Sequence, residues 1–389
     1  MKKILRLYRQ TYRLRARARM DAAKKKKTAA SLLAETAIPI KGKKMIQEPS
    51  VAIIILNWNG FDDTVECLNS LRQTTYGNYK IVLVDNGSAN NEGTRLGEMF
   101  PEIQLICNAT NRGFAGGCND GMNRAVKEGF DYIITLNNDC LVDKDWLKNL
   151  VAALMDTGAD FGSSRIMYYP ETDLISSDGD LLLADGTGIV EHLLEKYTGN
   201  GEAHPIFSAC GGAAIFSRAC LEAARIKNNQ FFDELFFAYL EDVDLCTRLQ
   251  AKSFRGVCAG SAVVYHKESK TAGPRSFFQI FQGEKNRMLI ELLNFPVWLI
   301  FTGELYYWTR TLLRNLSDLF MKKPPRENRP LPAKRFSPWD VLLKSRVWIL
   351  SHLGDILSDR RERKDKAMID KRIYRHLCWD IARLLSIKR

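Results

Sequence analysis

The chain has 389 residues, 46% of them hydrophobic and 26% charged, with a formal net charge of +12. These are the proportions of a globular protein with one large core plus appendages, not of a disordered or fibrous chain. The charge is uneven: residues 1–49 hold 15 Lys and Arg against 3 acids, residues 50–321 hold 23 against 34, and residues 322–389 hold 19 against 8. An acidic body between basic ends argues against a nucleic-acid-reading core, because the positive field would have to sit on the folded domain. The basic ends suit an anionic surface such as the cytoplasmic leaflet, where each nearby Lys or Arg contributes roughly 1 kcal/mol. Solvated tails are the alternative for residues 1–49.

The nine cysteines form no C-x-x-C pair, so neither a zinc site nor a disulfide framework is expected, and a reducing, cytoplasmic compartment follows. Lys2, Lys3, Arg6 and Arg9 have no apolar h-region behind them, so no ordinary secretory signal is expected.

From residue 51 the pattern alternates strand and helix. Val51–Leu56 is a continuous apolar run, as in a parallel strand covered on both faces. Helices are expected over Thr64–Leu71, Asn91–Met99 and Ala115–Glu128, and further strands over Ile81–Val84, Ile103–Ile106 and Tyr132–Leu136. Short crossovers of this kind predict an α/β fold with a doubly wound, mostly parallel sheet. After about residue 155, Gly- and Asp-rich segments separate short strands, an acidic helix follows near residue 241, and strands Arg255–Cys258 and Ser261–Tyr265 lead to His266. This mixed half is expected to form the acceptor side of a cleft.

Helices dominate from Phe277, and the proline-rich linker of residues 322–332 splits them. The uncharged stretch Leu292–Gly303 is interrupted by Pro296 and is too short for a bilayer, which needs about 20 apolar residues. With Trp298, Tyr306, Tyr307 and Trp308 nearby, it reads as an interfacial helix or as one buried on the body. The expected organisation is a basic arm over 1–49 and a catalytic domain over 50–273, with a nucleotide half at 50–155 and an acceptor half at 156–273. A helical segment over 274–321 and a basic helical extension over 322–389 follow.

Chemistry-bearing residues collect at strand and helix ends. Asp85 follows a buried strand and is placed to accept hydrogen bonds from a nucleobase or ribose, or to cap the next helix. Asp139 ends another strand, where oxygen ligands suit Mg²⁺ or Mn²⁺ held together with substrate phosphates. The run from Phe236 to Leu249 crowds Glu241, Asp242 and Asp244 into a first helical turn, either as complements to the helix dipole or with one of them as a catalytic base. Gly113-Phe114-Ala115-Gly116-Gly117 does not fit G-x-G-x-x-G and follows the third strand, so it reads as close approach to a ligand or as helix packing. Gly211 and Gly212 leave room for a sugar or make a tight turn, and Arg287 approaches a diphosphate or pairs with a neighbouring acid.

Five ordered motifs carry a resemblance: I-L-N-W-N-G at Ile55–Gly60, V-D-N-G-S at Val84–Ser88, N-R-G-F-A-G-G-C-N at Asn111–Asn119, L-N-N-D at Leu136–Asp139, and Y-L-E-D-V-D-L-C-x-R-L ending at Leu249. Across roughly residues 50–295 the chain resembles the family-two inverting glycosyltransferases of GT-A fold, in particular the rhamnosyltransferase-like branch.

The resemblance implies donor contacts from Asn57, Asn59, Asp85, Asn111, Gly113, Asn137, Gly211 and Gly212. It implies a divalent cation, Mg²⁺ or Mn²⁺, on Asp139 with His266 nearby, and Asp242 as general base beside Glu241. His266 has a simpler alternative in satisfying a backbone carbonyl. Asn137 stands where the family's D-x-D-like motif has its first acid, and Asn138 where many relatives have proline. The implied partners are a dTDP- or UDP-sugar donor, a saccharide or polyprenyl-diphosphate-linked acceptor, and the cytoplasmic membrane surface, with no nucleic acid. The expected activity is transfer of rhamnose from dTDP-rhamnose in cell-envelope glycan synthesis, at the inner face of the membrane. A UDP-sugar-dependent transferase is the alternative. A nucleotidyltransferase would release pyrophosphate but would need a triphosphate loop that the sequence lacks, and a non-catalytic anionic-surface binder would lose all function with residues 1–49.

Overall fold

The apolar run after Pro49 forms strand β1 (Val51–Asn57), in which Val51 to Ile55 are all fully buried. The structure is a computed structural model that describes residues 48–170, 173–190, 192–199, 201–267, 276–320, 337–367 and 377. The expected arm over 1–49 (but for 48 and 49), the linker of residues 322–332 and part of the C-terminal extension lie outside the described residues.

Helix α1 (Phe61–Leu71), β2 (Tyr79–Asp85), α2 (Glu92–Met99), β3 (Gln104–Cys107), α3 (Gly113–Glu128) and β4 (Tyr132–Asn137) follow in the alternation expected. Then come β5 (Cys140–Val142), α4 (Trp146–Thr157), β6 (Phe161–Tyr168), β7 (Ile175–Ser177), β8 (Asp180–Leu182), β9 (Gly188–Val190), β10 (His204–Ile206) and β11 (Ala213–Ser217). The chain continues through α5 (Arg218–Ala224), α6 (Glu241–Ala251) and β12 (Gly256–His266).

One ten-stranded sheet runs in the order β10-β12-β6-β11-β4-β1-β2-β3, with β5 paired to β12 and β7 to β6, and β8 pairs with β9 in a separate two-stranded sheet. Strands β3, β2, β1 and β4 are mutually parallel, β11 lies antiparallel between β4 and β6, and β6 runs parallel to β12. The expected nucleotide and acceptor halves therefore share one sheet. The two strands expected around residues 255–265 are one, Gly256–His266, whose register shifts between Ala259 and Val263. A bulge absorbs the irregularity there without ending the strand.

Alternation along β1 divides the core. Ile53 and Ile55 face the layer with Leu68, Leu71 and Trp146, whereas Ala52 and Ile54 face Met122, Cys118 and Leu245. Helices thus cover both faces, as continuous apolar strands require. At Gly121 an added Cβ would lie 2.4 Å from Ile54, so the glycines of α3 let that helix sit close on the sheet.

Chain order reverses beside β1, since β2 lies on one side and β4 on the other. Such switch points open a crevice at the carboxyl ends of the strands. The register puts Asn57 level with Asp85, and Leu56 level with Asn137, so the motifs gather at one edge.

Helices α7 (Phe277–Asn294), α8 (Val297–Phe320), α9 (Pro338–Ser351) and α10 (Leu353–Ala367) form a layer around Phe236, Leu289, Ile349 and Ile356. Among the described residues no helix is long and apolar enough to cross a membrane.

Candidate active site

A cavity of about 880 Å³ opens at the carboxyl edge of the sheet. Nine of the residues expected from sequence line it: Asn111, Gly113, Asn137, Asp139, Gly211, Gly212, Glu241, Asp242 and His266. Asn57, Asn59 and Asp85 do not. Asn57 is fully buried and its Nδ2 donates to Asp85 Oδ1 at 2.8 Å and to Glu92 Oε2 at 3.1 Å, while its Oδ1 accepts from Thr64 at 2.8 Å. Asn59 accepts from the Ala89 N–H at 2.8 Å, tying the first motif to the second. These residues frame the wall that Trp58 and Asn86 line directly.

Asn86 is the hub of that wall. Its Nδ2 donates to Asn111 Oδ1 and to the Gly113 carbonyl, both at 3.0 Å, and its Oδ1 accepts from the Arg112 N–H at 3.2 Å. It lay inside a quoted motif, but nothing in its own type marked it above its neighbours. Gly113 has φ +72°, and a Cβ there would fall 2.4 Å from the Phe237 carbonyl. The glycine-rich run is therefore mainly a packing surface for α3, with Gly113 at the cavity wall.

Where β4 ends, Asn137 receives help from β11. Its N–H donates to the Gly212 carbonyl at 2.9 Å, and the Thr135 hydroxyl donates to the Gly211 carbonyl at 2.7 Å. The Asn137 amide lies 3.3 Å from His266 Nε2, which in turn is 3.0 Å from Asp139 Oδ1. Asp139, Cys140 and His266 place one ligand atom each within 4.8 Å of one another. Burial pushes the Cys140 thiol well up, so it stays protonated and is a poor ligand. A carboxylate and an imidazole are the donors left, a set that suits Mn²⁺ and tolerates Mg²⁺ with substrate phosphates completing the shell.

Across the Gly211-Gly212 turn lies the start of α6. The Gly211 N–H donates to Asp242 Oδ2 at 2.6 Å and the Val243 N–H to Oδ1 at 2.7 Å. A Cβ on Gly211 would come within 3.2 Å of that oxygen, so glycine permits the approach.

The acids of this turn have separate fates. Burial raises Asp242 above the ordinary carboxylate range, and the backbone donors oppose that rise. Glu241 is pushed well above the ordinary carboxylate range, by burial first and then by the Asp242 charge, and its buried Oε2 is unpartnered among the described residues. Asp244 is fully buried but held low, at about 2, by Arg363 and Arg248 against the cost of burial, which makes it a structural ion pair. Asp180 of β8 also lines the cavity, and burial followed by the Asp242 and Asp178 charges pushes it up to about 8. It had no local signal in the sequence, because only the tertiary fold brings β8 there.

The backbone entering α6 is unusual. Phe237, Tyr239 and Leu240 have φ of 63°, 72° and 66°, which is strained for residues with a Cβ. The Asn286 amide of α7 holds this segment by donating to the carbonyls of Phe236 at 3.0 Å and Ala238 at 2.8 Å. The result turns Phe237 and Tyr239 toward the cavity beside Phe278. Arg287 is buried among Glu284, Glu291 and Glu304 and belongs to the helical layer, not to the cavity.

Residues 52–224 match the family model described as Glycosyl transferase family 2. Over those residues the chain is similar to that family. An uncharacterised protein of Sinorhizobium fredii is 29% identical over 245 residues, 58% of this chain and 25% of that protein. The chain thus spans a quarter of the length of that relative. The amylovoran biosynthesis glycosyltransferase AmsB of Erwinia amylovora is 25% identical over 232 residues, 57% of this chain and 71% of its own. Among solved structures, GalNAc-T7 with UDP, GalNAc and Mn²⁺ superposes with a TM-score of 0.56 at 13% identity, covering 87% of this chain and 61% of that one, a likeness of fold. The chain thus has the α/β architecture with a mixed, mostly parallel sheet that the alternation of elements predicted.

Proposed function

We propose that the protein is an inverting glycosyltransferase that moves a sugar from a nucleotide donor to an acceptor hydroxyl. The observation that carries this reading is the placement of Asp242 and the Asp139–His266 pair in one cavity, joined through the Gly211-Gly212 turn. Asp242 accepts the acceptor's proton as its oxygen forms the bond to the anomeric carbon. The bond from that carbon to the diphosphate breaks on the opposite face, and the nucleoside diphosphate leaves. One displacement inverts the centre, and the elevated pKa of Asp242 makes it the better base near neutral pH.

Asp139 and His266 would hold a divalent cation, which when bound neutralises charge developing on the leaving diphosphate. Asn111, Asn137 and the open face of Gly212 orient the donor, and the wall of Trp58 and Asn86 meets its nucleoside part. Asp244 of the same turn is held in ion pairs with Arg248 and Arg363, whereas Asp242 lines the cavity, where it can take a proton. The resemblance supports rhamnose from dTDP-rhamnose as the donor and a lipid-linked or polysaccharide acceptor at the cytoplasmic face of the membrane.

The test is release of nucleoside diphosphate across a panel of dTDP-, UDP- and GDP-sugars. Turnover with dTDP-rhamnose, lost in Asp242→Asn and Asp139→Ala, is the expected result. Full turnover in both variants overturns the assigned roles, and turnover with a UDP-sugar alone replaces the donor.

A further inference from the structure

The helical layer presents an apolar surface that the folded body does not use. On α8, Leu299 and Tyr306 are buried, whereas Phe301, Leu305 and Leu312 point outward, Phe301 being 73% exposed. On α9, Val341, Ser345 and Ile349 face the body, whereas Trp339, Leu343 and Leu350 face away, Trp339 being 72% exposed. Each outward set recurs at three- to four-residue or seven- to eight-residue spacing, so each helix has a second apolar stripe opposite the one that packs. Arg346 of α9 reaches Glu304 of α8 at 3.8 Å and lies 5.7 Å from the Trp308 ring, so side chains link the two helices. Exposed apolar area of this kind marks an interaction site.

We propose that these paired stripes of α8 and α9 seat the protein on an anionic lipid surface. Charge selects that occupant. The sequence directly before α9, residues 322–336, holds 6 Lys and Arg against 1 acid, and α9 itself adds Lys344 and Arg346 against Asp340. Such an excess repels a second copy of itself and draws in anionic headgroups. Two stripes lying in the interface plane, with tryptophan among their outward residues, bury apolar area without crossing the bilayer. Neither helix is long and apolar enough to span. Exposed Phe278 at the start of α7 lines the cavity rim and belongs to the same helical layer. The helical layer that carries the stripes thus reaches the cavity rim at Phe278, where a lipid-linked acceptor would enter. This last point rests on the acceptor proposed above, while lipid binding itself does not.

The experiment is flotation of the full chain with vesicles of phosphatidylcholine, with and without phosphatidylglycerol, for the wild type and for the charged pairs Phe301→Glu/Leu305→Glu and Leu343→Glu/Leu350→Glu. These side chains are exposed, so unchanged melting temperatures certify the fold. The wild type is expected to float with phosphatidylglycerol vesicles and each pair to reduce the bound fraction at least about tenfold, since two buried apolar side chains are exchanged for charges. Depth-dependent quenching of tryptophan fluorescence by brominated lipid should show the same loss. Equal flotation of the wild type and both pairs overturns the proposal, as does absence of wild-type flotation. A wild type that is dimeric while the pairs are monomeric, with no lipid binding, assigns the face to a second copy instead. Vesicle binding with no transferase turnover leaves the seat standing and removes only the proposed activity.

Discussion

The Gly211 N–H donates to the Asp242 carboxylate at 2.6 Å, from the same turn whose next carbonyl accepts from the Asn137 N–H. This turn couples the proposed proton acceptor to the end of β4, which leads to Asp139 and whose Asn137 amide lies 3.3 Å from His266. Asp242→Asn keeps the shape but cannot take the acceptor's proton, so kcat is expected to fall about 10²- to 10⁴-fold with donor KM little changed. Because burial raises Asp242, the acid limb of the wild-type pH profile should lie above the usual carboxylate range. Steady-state release of nucleoside diphosphate against pH measures both effects.

Asp180 carries a stability cost that grows with pH. Its folded pKa of about 8 lies above the ordinary 3.8, so the folded state holds a proton that the unfolded chain has released. The stabilisation is complete below about pH 4 and is lost as pH rises to about 8. Asp180→Asn should flatten the fall in melting temperature across that window. Calorimetry from pH 4 to 8 on both proteins is the check.

Removal of the proposed cation ligands should act on binding before it acts on turnover. Asp139→Ala or His266→Ala is expected to weaken Mn²⁺ binding in the presence of UDP by at least the ~10–100-fold typical of losing a ligand's supporting partner. Titration calorimetry reads this directly, and a melting temperature close to wild type excludes unfolding.

The strained entry to α6 depends on α7. Asn286→Ala leaves the Phe236 and Ala238 carbonyls without that donor and should destabilise by about 1–3 kcal/mol. Because the same segment places Asp242, kcat should drop as well. Denaturant unfolding and turnover measured together distinguish this from a stability effect alone.

Arg363 of α10 donates to Asp244 at 2.6 Å and to Asp233 at 2.5 Å while almost wholly buried. Arg363→Ala removes the buried cation shared by Asp244 and Asp233, leaving Asp244 with Arg248 alone, and should cost about 3–5 kcal/mol. Paired Asp244 is held near 2, so its contribution is present above about pH 4 and lost as pH falls toward 2. Urea unfolding at neutral and acid pH tests the size and the sign.

Local pattern was enough for the architecture of the sheet. The buried runs at Val51–Leu56 and Tyr132–Leu136, the amphipathic helices between them and the acids at their ends follow from side-chain periodicity, which acts over a few residues. The single strand Gly256–His266 was not legible, because a bulge interrupts the same periodicity that would join its halves.

Which acid does what was decided only by tertiary structure. Glu241, Asp242 and Asp244 share one helical turn, yet one has a buried carboxylate oxygen unpartnered among the described residues, one meets the backbone of Gly211, and one is paired with Arg248 and Arg363. Their protonation depends on groups up to 119 residues away in sequence, beyond the reach of any local signal. The same holds for Asp180, brought to the cavity by β8, and for the outward stripes of α8 and α9, since amphipathicity alone does not say which side of a helix the body will cover.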